Sequence, residues 1–245
     1  MKKIVVTVFL CISALFASAQ YGIQLENRGF ERWENFGKDS RSTEPVHWHS
    51  TKSATGTFNS FLSQQIEASP HSRPGSTGGK SVRVWPVSVV GITANGNLTN
   101  GRMNAGSMTV TGKGNYNYTQ RSDKRFCTPI SVVPDSLVVW ICFRCDDPMQ
   151  EAMVKTVIHG DADFKLIADG TVEPADKLVA TAKTTFKRTS PAGGNLVWRR
   201  LSIPFVKNGP CDDPRYLLFT ITTNAIPGRG DTAVDLFVDD VMLIY

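Results

Sequence analysis

After residue 16 the sequence has no apolar run long enough to cross a bilayer, which takes about 20 residues as a helix, so no membrane span is expected. It has little excess charge: 27 Lys and Arg against 22 Asp and Glu, a net +5. Basic groups scattered at that level solvate a surface and do not make a nucleic-acid footprint, so no nucleic-acid partner is expected. No Ser nucleophile elbow, H-E-x-x-H pair or Cys–His signature is present. Gly112-Lys113-Gly114 lacks the G-x-x-x-x-G-K-[ST] spacing that aims backbone N–H groups at phosphates. Apolar residues nowhere recur with a sustained period of 3.6, which excludes an amphipathic helical body. These absences leave no reaction that the residues alone can name.

What is present begins with a leader. Lys2 and Lys3, the apolar stretch Ile4 to Phe16 and Ala17-Ser18-Ala19 have the three parts of a signal peptide, with Gln20 as the first mature residue. Cys11 follows the bulky Leu10 where a lipobox wants a small residue, so ordinary cleavage is expected over lipidation. Removing Lys2 and Lys3 with no acid lowers the net charge by two. An exported protein is expected, in the periplasm, at the cell surface or outside the cell. Four cysteines remain, Cys127, Cys142, Cys145 and Cys211. They are either disulfides, with three possible pairings, or buried thiols that pack as small hydrophobes. Cys142 and Cys145 would face opposite ways in a strand, and no second pair follows at a zinc-finger spacing. His47 and His49 share a strand face without a third ligand nearby, and read as solvated or hydrogen-bonded side chains.

The rest reads as one all-β domain, residues 20–245. Pro45-Val46-His47-Trp48-His49 resembles a turn that feeds an aromatic into a core. Residues 68–80 are loop by composition. Ser81 to Val90 reads as one strand with Pro86 at an edge, bend or bulge. Gly91 to Tyr118, rich in Gly, Asn, Thr and Ser, predicts short strands joined by long loops. Ser136–Cys145 is apolar on both faces, as a covered central strand would be. Ala152–His159 alternates, and Leu178–Phe186 leans to strand through its Val, Thr and Phe. Leu196–Val206 predicts Val197, Leu201, Ile203 and Phe205 inward; Tyr216–Thr223 predicts Leu217, Phe219 and Ile221 inward. An antiparallel β-sandwich or jelly roll is the expectation.

In the closing strand, L-F-V-D-D-V-M-L-I-Y, the adjacent Asp239 and Asp240 cannot both face away from what the strand covers, and a buried carboxylate needs a cation or donors. The opening N-R-G-F-E-R-W is the matching half, and the first and last β-elements are expected to pair side by side with a calcium ion between them. These two ends resemble those of jelly-roll carbohydrate-binding modules, which open on N-x-G-F-E and close on V-D-D-V. Through N-L-T-N-G-R-M, P-D-S-L-V-V-W, W-R-R-L-S-I-P-F, T-N-A-I-P-G-R-G-D and V-D-D-V-M-L-I-Y, the chain resembles the carbohydrate metabolism domain (PCMD) family over most of residues 26–245. Members are typically exported by Bacteroides-like bacteria. One departure is that Thr232-Ala233-Val234-Asp235 stands where the family has small residues leading into G-S-x-L-x-V-D-D-V. The resemblance implies a structural calcium held by Glu31, by Asp239 or Asp240, and by the Gly29 carbonyl. Hard oxygen ligands suit that ion. The alternative is a Glu31–Arg salt bridge with both Asp residues facing loops.

Sugar recognition needs flat aromatic faces beside polar groups. Trp85, Tyr116, Tyr118, Trp140 and Trp198 are the candidates. Tyr116 and Tyr118, in the polar G-N-Y-N-Y read as a loop, are the preferred exposed pair, with Trp140 as a further ligand-binding residue. Glycoside hydrolysis would need two opposed carboxylates. Asp161 and Asp163 in H-G-D-A-D are the first suspects, against a solvated hairpin turn. The expectation is therefore an exported glycan-binding accessory of polysaccharide use, whose partner is a polysaccharide or oligosaccharide. A carbohydrate-active hydrolase and an adhesive or structural surface subunit are the alternatives.

Overall fold

The computed structural model describes residues 23–36, 42–89 and 91–245. The expected leader, residues 1–19, and Cys11 lie outside the described residues. In chain order the strands are β1 (Trp33–Asn35), β2 (Thr43–Pro45), β3 (Ile66–Ser69), β4 (Ser81–Val84), β5 (Val87–Val89), β6 (Ile92–Ala94) and β7 (Asn97–Thr99). Next come β8 (Arg102–Ala105), β9 (Asn115–Thr119), β10 (Thr128–Pro129), β11 (Ser136–Arg144), β12 (Glu151–His159) and β13 (Phe164–Ile167). The chain ends with β14 (Val172–Glu173), β15 (Leu178–Lys187), β16 (Arg199–Pro204), β17 (Val206–Lys207), β18 (Tyr216–Thr222) and β19 (Asp235–Ile244). Short 3-10 turns are the only helical structure among the described residues, and no helix there could cross a membrane.

Two antiparallel sheets make a jelly-roll-type β-sandwich. One has the order β10-β18-β12-β15-β17, with β7 also on β18; the other has the order β16-β11-β19-β4-β3. Period-two alternation fills the space between them. Leu217, Phe219 and Ile221 of β18 and Leu137, Val139, Ile141 and Phe143 of β11 all point into one core, as expected. Trp48 joins them, its ring edge-on to Phe30 at 5.0 Å and to Phe219 at 5.3 Å. A third layer, the sheet β14-β13-β9-β8, lies on the far side of the β18–β12 sheet. Its Phe164 and Leu166 meet Val157 and Leu218 in a second, separate cluster.

Four expectations need correction. The opening strand β1 pairs with β2 and not with β19, whose partners are β11 and β4. The termini still meet through the segment before β1. Gln24 brackets the backbone of Leu243 at 2.7 and 3.0 Å, and the Val241 N–H donates to the Arg28 carbonyl at 3.1 Å. Ser81–Val90 is not one strand; Pro86 cannot donate a ladder bond, and β4 ends at Val84 before β5 begins. Val197 lies outside β16 and is 49% exposed, while Ile203 is buried as expected. Tyr116 and Tyr118 sit on strand β9 and not in a loop.

Candidate functional site: a carboxamide-lined cleft

A cleft of about 220 Å³ opens between the third layer and the outer face of the β18–β12 sheet. Alternation explains which side chains reach it. Because Leu217, Phe219 and Ile221 point to the core, Thr220 and Thr222 point to the cleft. Likewise, with Ala152 and Val154 inward, Met153 and Lys155 form the floor. From the third layer come Met103, Ala105, Asn115, Asn117 and Leu166. The lining is mostly apolar surface broken by carboxamides, and among the described residues no Asp or Glu lines it.

Asn97 and Asn117 exchange side-chain hydrogen bonds at 2.7 and 3.1 Å, and Asn117 also donates to the Thr220 hydroxyl at 2.9 Å. These bonds tie the third layer to the sheet beneath it. Two other lining carboxamides keep buried atoms without a partner: the Oδ1 of Asn95 and the Nδ2 of Asn224. A buried polar group left unpaired costs about 1–3 kcal/mol. Lys155 is 9% exposed, and its Nζ donates to the Gly170 carbonyl at 2.6 Å. Burial, and after it the nearby Lys183 charge, lowers its pKa. Farther along the same face His159 is wholly buried. Its Nε2 lies 2.8 Å from the Thr119 hydroxyl, and its ring stacks on Phe164 at 4.4 Å. Burial pushes its pKa down to about 4, so it is neutral in ordinary buffers.

The residues expected to act together are dispersed. Tyr116 borders the cleft, and its ring meets Tyr118 at 5.4 Å with the Lys165 ammonium 5.0 Å above it. Burial first, then Tyr118 and Glu173, raises the Tyr116 pKa. Trp140 is elsewhere: its neighbours Val139 and Ile141 face the core, so it lies on the outer face of the β11 sheet, under the Arg73 guanidinium at 4.9 Å. Asp161 and Asp163 are held together by Arg121, at 2.6 and 3.3 Å, on an exposed turn away from the cleft. His47 pairs with Glu26 at 2.9 Å. The buried His49 lies 3.2 Å from Glu44, whose other oxygen accepts the N–H groups of Ser50, Lys52 and Ser53. Cys127, Cys142, Cys145 and Cys211 are free thiols, and burial pushes Cys145 up to about 11.

At the other end, β19 bulges at Asp240 and Val241, which together oppose Val139 of β11, with Asp239 still paired to Trp140 and Asp240 at φ +43°. Asp239 is wholly buried and accepts the N–H groups of Arg73 at 2.9 Å and Asp240 at 2.8 Å. The Arg73 side chain bonds Asp240 at 2.5 Å. Burial outweighs these donors and pushes Asp239 up to about 6. Gly29 packs on this bulge: a Cβ there would sit 3.4 Å from the Asp240 carboxylate. Glu31 turns to the neighbouring loop, accepting the Lys80 N–H at 2.9 Å, and a side chain at Gly78 would collide with it. Among the described residues no three of His, Cys, Asp and Glu gather in a way that could hold a metal ion.

No family model and no curated protein matches the chain. Solved structures do. One is an arabinose-bound GH51 α-L-arabinofuranosidase, with TM-score 0.44 and 14% identity over 91% of this chain; the chain spans only 26% of that enzyme. Another is TmCBM61 in complex with β-1,4-galactotriose, at 0.37 and 12%, covering 90% of this chain and 96% of that one. A third is the K1 cleaved adhesin domain of Lys-gingipain from Porphyromonas gingivalis W83, at 0.38 and 12%, covering 91% and 98%. With likenesses this distant, the fold class rests on the strand ladders themselves.

The cleft residues Asn95, Asn97, Asn117, Asn224 and Lys155 were not singled out from the sequence. A signal existed in the asparagines crowded between 95 and 117, at 95, 97, 100, 104, 115 and 117. Composition marks such a stretch as short strands joined by long loops, because Asn favours turns, and hides its use as a lining.

Proposed function

We propose that this chain is a glycan-binding module whose site is the cleft between the third layer and the β18–β12 sheet. The observation that carries the reading is the pairing of an apolar wall with the carboxamides of Asn95, Asn97, Asn117 and Asn224. Sugar rings present apolar faces together with hydroxyls that both donate and accept, and a carboxamide answers both. Without a lining carboxylate, the cleft supports retention better than hydrolysis. Titration calorimetry of the purified protein against an oligosaccharide panel is expected to find a binder, and Asn95→Ala is expected to weaken it about tenfold or more. Background heats across the panel would overturn the reading.

Calcium at the bulge belongs to the same proposal as a structural ion. Asp239, Asp240 and the Gly29 carbonyl are oxygen donors of the right type, and an ion there would favour the charged form of Asp239 that burial disfavours. Millimolar calcium is expected to raise the melting temperature by a few degrees relative to chelator, and not in Asp239→Asn. Identical melting with calcium and with chelator would remove the ion from the account.

A further inference from the structure

The cleft floor carries positive charge that the protein itself leaves unanswered. Lys155 is nine-tenths buried, and its nearest partner is a carbonyl, that of Gly170. One of its three donors is used there, leaving two. Across the β12–β15 ladder Lys155 lies directly opposite Lys183, on the face turned away from the core. Like charges in opposed positions destabilise a strand pair, and retaining both without a carboxylate partner suits a ligand that brings one. The acid whose charge acts on Lys155 is Asp169. Its Oδ1 accepts from the N–H and hydroxyl of Thr171, at 2.8 and 2.7 Å, and it makes no ion pair with Lys155. No ion pair within 4 Å reaches Lys155 among the described residues.

Resting on the glycan reading above, we infer that the cleft selects an acidic sugar, with the carboxylate of a uronic acid residue taken by the Lys155 ammonium. The carboxamides of Asn95 and Asn224 then meet the hydroxyls of the same or a neighbouring ring. A charge-assisted bond of this kind is shorter and about twice as strong as a neutral one, and the low exposure of Lys155 limits its screening by salt.

The test uses matched ligands on the full chain, so it does not depend on a variant that folds. Calorimetry compares uronate-containing oligosaccharides with the same oligosaccharides after carboxyl reduction or methyl esterification. The carboxylate forms are expected to bind about tenfold or more tightly, and Lys155→Met is expected to erase that difference. Lys155→Arg, which keeps the charge, is expected to retain a preference. Equal affinity for acid and neutral forms, or tighter neutral binding, overturns the inference and leaves the glycan reading standing. Failure of every sugar overturns both.

Discussion

His159 and Asp239 are two buried ionisable side chains whose shifts pull stability in opposite directions with pH. The His159 pKa is depressed to about 4 from 6.5, so the folded state resists its protonation. Its contribution is complete above pH 6.5 and is lost as pH falls towards 4, by roughly 3 kcal/mol at the limit. Asp239 is raised to about 6 from 3.8, so its contribution is complete below pH 3.8 and is lost as pH rises through about 6. Between pH 4 and 6 the two effects oppose, and the wild type is expected to show a shallow profile there. Denaturant unfolding in chelator should show His159→Gln gaining stability towards pH 4, and Asp239→Asn losing it more steeply than the wild type. Parallel profiles for all three proteins would contradict the assignment. Neither shift was legible in the sequence, because each depends on burial contributed by distant strands: Phe164 and Tyr216 around His159, and the Arg73 loop over Asp239.

Among the elements, β19 shows both how far the sequence could be read and where it stopped. Leu236 and Val238 face the core, and so do Val241 and Leu243. The even-numbered phase becomes odd because Asp240 and Val241 together face the single residue Val139 of β11. That phase change is written in L-F-V-D-D-V-M-L, yet the paired acids drew the reading towards a ligand and away from a bulge. Asp240, at φ +43°, is one of the few residue types that enter the left-handed region readily. Asp240→Val is expected to destabilise the protein by roughly 1–2 kcal/mol more than Asp240→Asn. Both variants lose the Arg73 ion pair, so chemical denaturation of the two isolates the backbone cost; equal loss would show that φ is not the constraint. By contrast β18 was read correctly, inner face and all, because its alternation is uninterrupted and one side is wholly apolar. The short strands expected between Gly91 and Tyr118 are present as β6 to β9, but the stacking of β8 and β9 into a third layer was not legible, because strands this short and rich in Asn and Tyr suit loops as well as edges.

For the whole molecule, the two hydrophobic clusters matter most. The sandwich core draws on both large sheets, whereas Phe164 and Leu166 hold the third layer through a much smaller contact with Val157 and Leu218. Regions with few buried apolar contacts open at lower free energy than the global transition. Amide hydrogen exchange is therefore expected to divide the chain into two cooperative units. The N–H groups of β8, β9 and β13 should exchange through a partial opening, while those of β11, β12 and β18 wait for global unfolding. One common exchange free energy for both sets would refute the division. A guest seated between the units would have to be released before the outer one could lift, so its residence would be recorded in the deuterium uptake of β8, β9 and β13.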